Sequence, residues 1–442
     1  MDSQSSSLHN FSSDASELKS FYRFLWNDKV TERSITDQIQ SDCERAVNER
    51  KVLVLVDSCS ISLENKHNRL QDYEGLSRTG INKQGRYFGL KLHPAIVYDM
   101  ETNMMLGISS TQFVHIDSST CEEKGDKWSR KKQCIEEKES YKWIAACNQS
   151  KETLAKAAHI TYVMDREADI IELLDRIPDQ RTTLVVRVSH NRYVIDEQGK
   201  RILLNDLLAR STNIAEARLK INSKKRKRGD AEFELRYERI TIPWRQTSRI
   251  KQKKNPDGVP MTVVEIKEVS NQDGEEPIVW RLYTSSEVSS HSQVLELVDI
   301  YKRRWLIEEF FKLLKTDGYD IEGTEFSTGK VIRKLILLVM KASIKVLQLK
   351  AARDGSSSEK IDLLFSEKEI RCLKSLNKKL EGGTVKQQNP HDAASLAYAS
   401  WIIARLGGWK EFYQPSRPPG TKTFVWGLEK FESIMIGYNI LN

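Results

Sequence analysis

The pattern of apolar and polar residues along the chain predicts a mixed α/β fold. Apolar runs typical of buried strands lie at 52–56, 85–99, 103–116, 159–165 and 182–195. Helical periodicity falls at 140–158 and 166–177, between the last three of these runs. Three neighbouring strands, followed by strands and helices in alternation, predict an α/β core built on a mixed sheet.

The rest of the chain departs from this alternation. Residues 196–285 are basic and contain strand-like runs such as MTVVEIKEV and turns such as NPDG, which predicts a β-rich insertion. Residues 292–315 and 330–408 have helical patterns, and a Pro-rich break at 414–420 precedes a last short helical segment. The predicted order is therefore a core, an insertion and a helical C-terminal region.

Composition narrows the class of protein. Of the 442 residues, 39% are hydrophobic and 30% charged, and because no run of about 18 apolar residues occurs we expect no membrane span. The Ser-rich N-terminus has no apolar stretch of the kind found in secretory signals. The six cysteines form no CxxC pair, which argues against a zinc ribbon or a disulfide framework and for a reducing compartment.

Positive charge is concentrated in one part of the chain. The formal net charge is +8, and the runs SKKRKR (223–228) and RIKQKK (249–254) both lie within the predicted insertion. Such runs are typical of a surface that binds a polyanion. A solvated loop or a localisation signal would give the same pattern.

Two of the predicted strands end on an aspartate. VLVLV (52–56) is followed by Asp57, and HITYVM (159–164) by Asp165. An aspartate in this position either caps the turn after the strand or presents a metal ligand at the tip of a rigid element. Taken alone, the two positions leave both interpretations open.

The segment YKRRWLIEEFFKLLK (301–315) adds a third carboxylate. At 100° per residue, one narrow arc of a continuous helix would carry Tyr301, Arg304, Glu308 and Lys315, and the apolar flank would carry Ile307, Phe310, Phe311 and Leu314. Carboxylates hold Mg²⁺, while cations and a phenol hold phosphate oxygens, so the arc favours metal-assisted phosphoryl transfer. The alternative is an amphipathic surface helix with salt bridges.

Together these segments resemble a known family. DREADI (165–170) and the spacing Y-x2-R-x3-E-x6-K (301–315) resemble the DDE transposases of the IS4 family, most closely the Tn5 (IS50) type, as do KESYKW (138–143), LVVR (184–187) and WRLYTSSE (280–287). The resemblance implies an RNase H-like catalytic core. In that core Asp57, Asp165 and Glu308 would be the catalytic residues and would hold two Mg²⁺ (or Mn²⁺) ions per site.

The resemblance also implies an activity, partners and DNA contacts. The activity is cut-and-paste transposition: end nicking, hairpin formation and resolution, and strand transfer. The implied partners are double-stranded DNA, both the transposon ends and the target, and a second copy of the chain in a homodimer. The implied location is the bacterial cytoplasm, where the protein would be associated with DNA. The implied DNA-binding residues are Trp280, which would stack on a flipped base, Tyr301, Arg304, Lys315, Arg187, Lys224, Lys225, Arg226, Lys227 and Arg228. Core packing for Trp280 and a sheet-edge ion pair for Arg187 are the alternatives.

Two parts of the chain depart from the family pattern. We expect roughly the first forty to fifty residues of the family's N-terminal DNA-binding domain to be missing, and DGYDIEGTEFSTG (317–329) lacks the family's Arg/Glu/Asn pattern. A regulatory protein that dimerises with a full-length transposase, or a general metal-dependent nuclease, are therefore alternatives. The predicted domains are a disordered lead (1–20), a remnant of the N-terminal domain (21–50), the first part of the core (51–195), the insertion (196–285), the helix with the third acid (286–350) and a helical region that could support dimerisation (351–442).

Overall fold

The computed structural model describes residues 15–63, 70, 76–82, 85–114, 134–220, 230–244, 253–269, 276–410 and 418–441. Its first seven strands are β1 (Lys51–Val56), β2 (Cys59–Leu63), β3 (Ser77–Asn82), β4 (Gly85–Asp99), β5 (Met104–Val114), β6 (His159–Met164) and β7 (Thr182–Arg187). The helices in this part of the chain are α1 (Ala15–Trp26), α2 (Glu32–Ala46), α3 (Tyr141–Thr153) and α4 (Ile171–Arg176).

These strands form the sheet that the sequence predicts for the core. Strand β4 pairs antiparallel with both β1 and β5. On the other side of β1, β6 runs parallel to it, and β7 runs parallel to β6. The order β5-β4-β1-β6-β7, with these directions, is that of an RNase H-like core, and the predicted fold class is confirmed. Central position explains the continuous apolar run of β1, because Val52–Val56 are all buried.

The strands that follow β7, most of them in the insertion, extend this sheet. They are β8 (Tyr193–Ile195), β9 (Arg201–Leu203), β10 (Ile214–Lys220), β11 (Asp230–Ile242), β12 (Val259–Glu268) and β13 (Val279–Thr284), with helix α5 (Leu204–Arg210) after β9. Strand β13 pairs with β7, so that Leu282 lies opposite Arg187, and β12 and β11 follow in antiparallel order. The insertion and the core therefore share one sheet across the described residues.

The predicted strand at 182–195 is two strands, β7 and β8. Between them, the carboxylate of Asp169 accepts the backbone N–H of Ser189 at 2.8 Å and pairs with Arg192 at 2.5 Å. These bonds hold residues 189–192 outside the strand pairing. The pattern within 182–195 does not indicate them, because their acceptor, Asp169, lies earlier in the chain.

The C-terminal half is helical, as predicted, but its helices are differently divided. They are α6 (His291–Arg303), α7 (Trp305–Lys312), α8 (Gly329–Ala352), α9 (Glu367–Leu380), α10 (Leu396–Leu406) and α11 (Thr421–Leu441). The last segment, predicted to be short, is a helix of 21 residues. Within the described ranges, no helix combines the length and the apolar character that crossing a bilayer requires.

Candidate active site

The two strand-end aspartates are neighbours at one edge of the core sheet. Strands β1 and β6 are parallel and in register, with Val56 opposite Met164, so Asp57 and Asp165 follow at matching positions. Asp57 Oδ1 accepts the N–H of Ser58 at 2.7 Å, and Asp165 Oδ1 accepts the N–H of Glu167 at 2.9 Å. Each carboxylate thus has one oxygen held by the local backbone, as in a cap. The cap and the ligand interpretations are compatible, because the second oxygen does not take part in these bonds.

Arg304 joins the third carboxylate to the first. Its Nη1 donates to Asp57 Oδ2 at 2.6 Å and to Glu308 Oε1 at 3.4 Å. The Arg304 and Asp57 side chains are only 15% and 13% exposed, whereas that of Glu308 is 40% exposed. The structure therefore brings Asp57, Asp165 and Glu308 to one end of the sheet, with a guanidinium between the first and the third.

Residues 292–315 are helical, as predicted, but the helix that carries Glu308 is not continuous. At Arg304 the backbone hydrogen bonds join residues three apart, as in a 3₁₀-helix, instead of four apart. The N–H of Arg304 donates to the Tyr301 carbonyl, and the N–H of Ile307 donates to the Arg304 carbonyl. After Lys312 the chain continues as a π-helix over Leu313–Asp317. The constant 100° per residue of an ideal α-helix therefore does not hold across 301–315.

Lys315 has other partners than Arg304 and Glu308, whereas Tyr301 stays close enough to Arg304 to interact with its charge. Tyr301 is buried. Lys315 lies in the π-helical segment, where its Nζ bonds the Ser60 carbonyl and pairs with Glu322 at 3.1 Å. The predicted apolar flank is buried, as Ile307, Phe310, Phe311 and Leu314 show. Among the described residues of this site, Arg304 donates both to Asp57 and to Glu308.

Electrostatics at the aspartates indicate a shortage of positive charge. Burial, together with the charge of neighbouring Asp165, raises the pKa of Asp57 to about 6 even though Arg304 acts in the opposite direction. Burial also raises the pKa of Asp165. Two partly buried carboxylates that lie this close are stabilised by a cation close to both.

The residues present fit a divalent ion in their chemistry. Carboxylate oxygens are hard donors of the kind that Mg²⁺ and Mn²⁺ bind. However, within the described ranges no three His, Cys, Asp or Glu side chains are grouped so as to hold a metal ion. Arg304 lies between Asp57 and Glu308, so a cation could not bridge those two carboxylates unless Arg304 moved. Asp57 and Asp165 would hold an ion in this arrangement, and Glu308 would add to them once released.

Three of the predicted DNA-binding residues lie together beside the carboxylates. The rings of Trp280 and Tyr301 meet edge to face, with centroids 5.3 Å apart, and the Arg187 guanidinium lies 6.0 Å from the Trp280 ring. Trp280 is partly buried and packs against the core, as the packing alternative expects. Arg187 donates to the Val279 carbonyl at 3.5 Å rather than to a carboxylate.

The predicted basic loop is largely beyond the structural description. Lys224, Lys225, Arg226, Lys227 and Arg228 lie outside the described residues. In the second run, residues 253 and 254 are described: Lys253 lies over the Trp244 ring at 5.0 Å, and Lys254 Nζ donates to the Pro178 carbonyl. These two lysines are therefore engaged with the protein itself.

Two groups next to the aspartates are not among the residues that the sequence predicts. His93 is fully buried, its Nδ1 lies 2.8 Å from Ser58 Oγ, and burial lowers its pKa to about 3. The buried Lys142 pairs with Glu139 at 3.0 Å and Glu167 at 3.5 Å. Pro94, which follows His93 inside a predicted strand, is the local signal in the sequence. A proline cannot donate a hydrogen bond to a neighbouring strand, so a side-chain contact can replace that bond here.

Comparisons with known proteins bear on the same region. Residues 144–344 match the family model described as "Transposase DDE domain", a segment that contains Asp165 and Glu308 and begins after Asp57. Among solved structures, the chain is similar to a chain of the cryo-EM structure of the piggyBac transposase synaptic complex with hairpin DNA, at 11% identity and a TM-score of 0.37. That match covers 78% of this chain and 55% of the other, so the chain spans little more than half the length of that transposase chain.

Proposed function

We propose that this chain is a cut-and-paste DNA transposase of the IS4 family whose catalytic residues are Asp57, Asp165 and Glu308. The observation that carries the proposal is the convergence of these carboxylates, from two parallel strands and a distant helix, on the surroundings of Arg304. The match of 144–344 to transposase DDE domains supports it, since the second and third carboxylates both lie in that segment.

The three carboxylates would hold the Mg²⁺ or Mn²⁺ ions that phosphoryl transfer requires, two per site. When bound, such ions activate the attacking oxygen and stabilise the leaving one. The chain's own residues orient the donors: the Ser58 and Glu167 N–H groups each fix one aspartate oxygen, and Arg304 holds the second oxygen of Asp57.

DNA would be held by the residues around this edge of the sheet. Arg304 and Tyr301 would contact phosphates, Lys315 the DNA end, and Trp280 a base flipped out of the duplex. Stacking of one base on an aromatic side chain is worth roughly 1–3 kcal/mol, which offsets much of the cost of unstacking. The contact of Trp280 with Tyr301 supports this role, because it leaves the indole near the carboxylates. Arg187 and the basic segment 224–228 would add sequence-independent phosphate contacts, and the bound form would be a homodimer.

A cleavage assay with a matched pair of variants tests the proposal. The purified chain is incubated with Mg²⁺ or Mn²⁺ and a supercoiled plasmid that carries the DNA flanking its gene. Glu308→Gln should abolish nicking while DNA binding persists. Glu309→Gln is the control, because Glu309 is the next residue of the same helix, has the same 40% side-chain exposure and pairs with Lys350 instead. Equal nicking by wild type and E308Q would reject the assignment.

The same assay separates the alternatives. Cleavage that is equally fast on a plasmid without the flanking DNA would identify a general metal-dependent nuclease. Tight binding to the flanking DNA without any cleavage by the wild type would identify a regulatory protein instead.

A further inference from the structure

The backbone ladder is interrupted at Asp57 and Ser58. Strands β1 and β2 both pair with β4 in a single register, with Val56 opposite Ala95 and Cys59 opposite Leu92. Asp57 and Ser58 therefore lie opposite the dipeptide 93–94, which is His-Pro. Proline has no N–H to donate to a ladder, so the strand that carries Asp57 loses backbone support at this point.

A side chain bond takes the place of that support. Ser58 lies opposite His93, and its Oγ is 2.8 Å from His93 Nδ1. The imidazole is fully buried and is held edge to face on Trp143, with ring centroids 4.6 Å apart. Ser58 in turn donates its N–H to Asp57 Oδ1 at 2.7 Å. One chain of contacts thus runs from Trp143 through His93 and Ser58 to the carboxylate.

We propose that His93 is a positioning residue for Asp57: through Ser58, it sets the orientation in which the carboxylate meets a divalent ion. The inference rests on the proposed function, because it takes Asp57 as an ion ligand. Residues that orient a metal ligand without touching the metal typically change metal affinity 10- to 100-fold when they are replaced. Because the ladder is broken opposite Pro94, Ser58 depends on His93 for its position more than a residue within a continuous strand would.

The two ring nitrogens allow positioning to be told apart from simple packing. Among the described residues, Nδ1 bonds Ser58 and Nε2 has no hydrogen-bond partner. An asparagine amide occupies the place of Nδ1, whereas a glutamine amide reaches the place of Nε2. If His93 positions Ser58, Asn should substitute for it and Gln should not. If His93 only fills space, the larger Gln should be the better replacement.

The experiment measures Mn²⁺ binding to the full-length chain without DNA, by electron paramagnetic resonance of the free ion. His93→Gln and Ser58→Ala should each weaken binding about 10-fold or more, and His93→Asn should stay within about 2-fold of wild type. The double variant H93Q/S58A should be no weaker than either single variant, because both remove the same bond. His159→Gln is the control: His159 lies at the start of β6, where its Nε2 bonds Thr183 at 3.1 Å, and its loss should leave Mn²⁺ affinity unchanged.

Thermal unfolding of each variant, measured in parallel, reports on packing. Equal Mn²⁺ affinity in wild type, H93N and H93Q would overturn the inference. Equal losses of Mn²⁺ affinity in H93N and H93Q, in proportion to their losses of melting temperature, would overturn it as well. Asp57→Asn separates this failure from failure of the proposed function. If D57N weakens Mn²⁺ binding while the His93 variants do not, only the role of His93 is rejected. If D57N binds Mn²⁺ as the wild type does, the ion site itself is rejected, and the role of His93 with it.

Discussion

Arg304 donates to the carboxylate of Asp57 at 2.6 Å, although the two residues are 247 positions apart in the chain. The same nitrogen reaches Glu308, so one positive charge is shared by two of the three carboxylates. A guanidinium and a divalent ion cannot both occupy the space between these groups. DNA phosphate is a competing partner for arginine, and it would draw Arg304 away from the carboxylates as DNA binds.

The first prediction follows from this competition. Arg304→Gln removes the charge that an incoming ion must displace, so Mn²⁺ affinity of the DNA-free protein should rise about 10-fold, or about 1.4 kcal/mol. Affinity for duplex DNA should fall, because a phosphate contact is lost. Isothermal titration with Mn²⁺ and a DNA mobility assay measure the two effects. Lys302→Gln is the control, since Lys302 pairs with Asp299 on the exposed side of α6; an R304Q variant with unchanged or weaker Mn²⁺ binding would contradict the prediction.

The second prediction concerns stability and pH without metal. The pKa of Asp57 is about 6 in the folded protein, against an ordinary value of 3.8, owing to burial and to Asp165, with Arg304 opposing and Glu308 adding to the rise. Between these two values the folded state binds more protons than the unfolded one. The free energy of unfolding should therefore fall as pH rises from about 4 to 6 and level off above that.

Asp57→Asn removes this titration. In EDTA at pH 8, D57N should be more stable than wild type by about 2–3 kcal/mol, and the difference should vanish below about pH 4. Urea denaturation at both pH values measures it. Excess Mg²⁺ should stabilise the wild type and leave D57N unaffected. Equal stability of the two proteins at pH 8 in EDTA would show that Asp57 is not destabilised by its surroundings.

The third prediction concerns Trp280. Removal of the indole by Trp280→Ala should slow hairpin formation more than the first nick, because a base flipped from the duplex would lose its stacking partner. End-labelled duplex DNA on denaturing gels resolves the two products. Trp280→Phe should retain much of the hairpin rate, and Trp244→Phe, whose indole N–H donates to the Asn255 carbonyl elsewhere in the sheet, should change neither rate. An unchanged hairpin rate in W280A would leave Trp280 with a packing role alone.

The fourth prediction concerns the docking of the last helix. A Cβ on Gly427 of α11 would lie 2.0 Å from the carbonyl oxygen of Ile403 on α10, so the two helices approach closely through this glycine. Gly427→Ala should destabilise the protein by about 1–3 kcal/mol. Gly437, on the same helix, has open space around it, and Gly437→Ala should stabilise the helix by roughly 0.5–1 kcal/mol. Thermal melts of both variants check the sign, and two shifts in the same direction would contradict this packing.

Local patterns were sufficient for much of the fold. The strand at 85–99 has the same bounds in the structure, and the apolar run before Asp57 is a central buried strand. These features depend on periodicity and on the residues at each strand's end, which neighbouring positions along the chain specify. The three carboxylates were also proposed from the sequence, because the strand end at Asp57 and the motifs around Asp165 and Glu308 are local.

What only the tertiary structure decided are relationships between distant segments. The break in the helix at Arg304 coincides with the bond to Asp57, and the bond of His93 to Ser58 depends on the register of β4 against two strands. The strands of the insertion join the core sheet through the pairing of β13 with β7. Hydrophobic periodicity reports which face of an element is buried, but it does not report which distant side chain lies opposite. The distant partner of a side chain is specified by charge pairing and by strand register, and both arise only when the segments pack together.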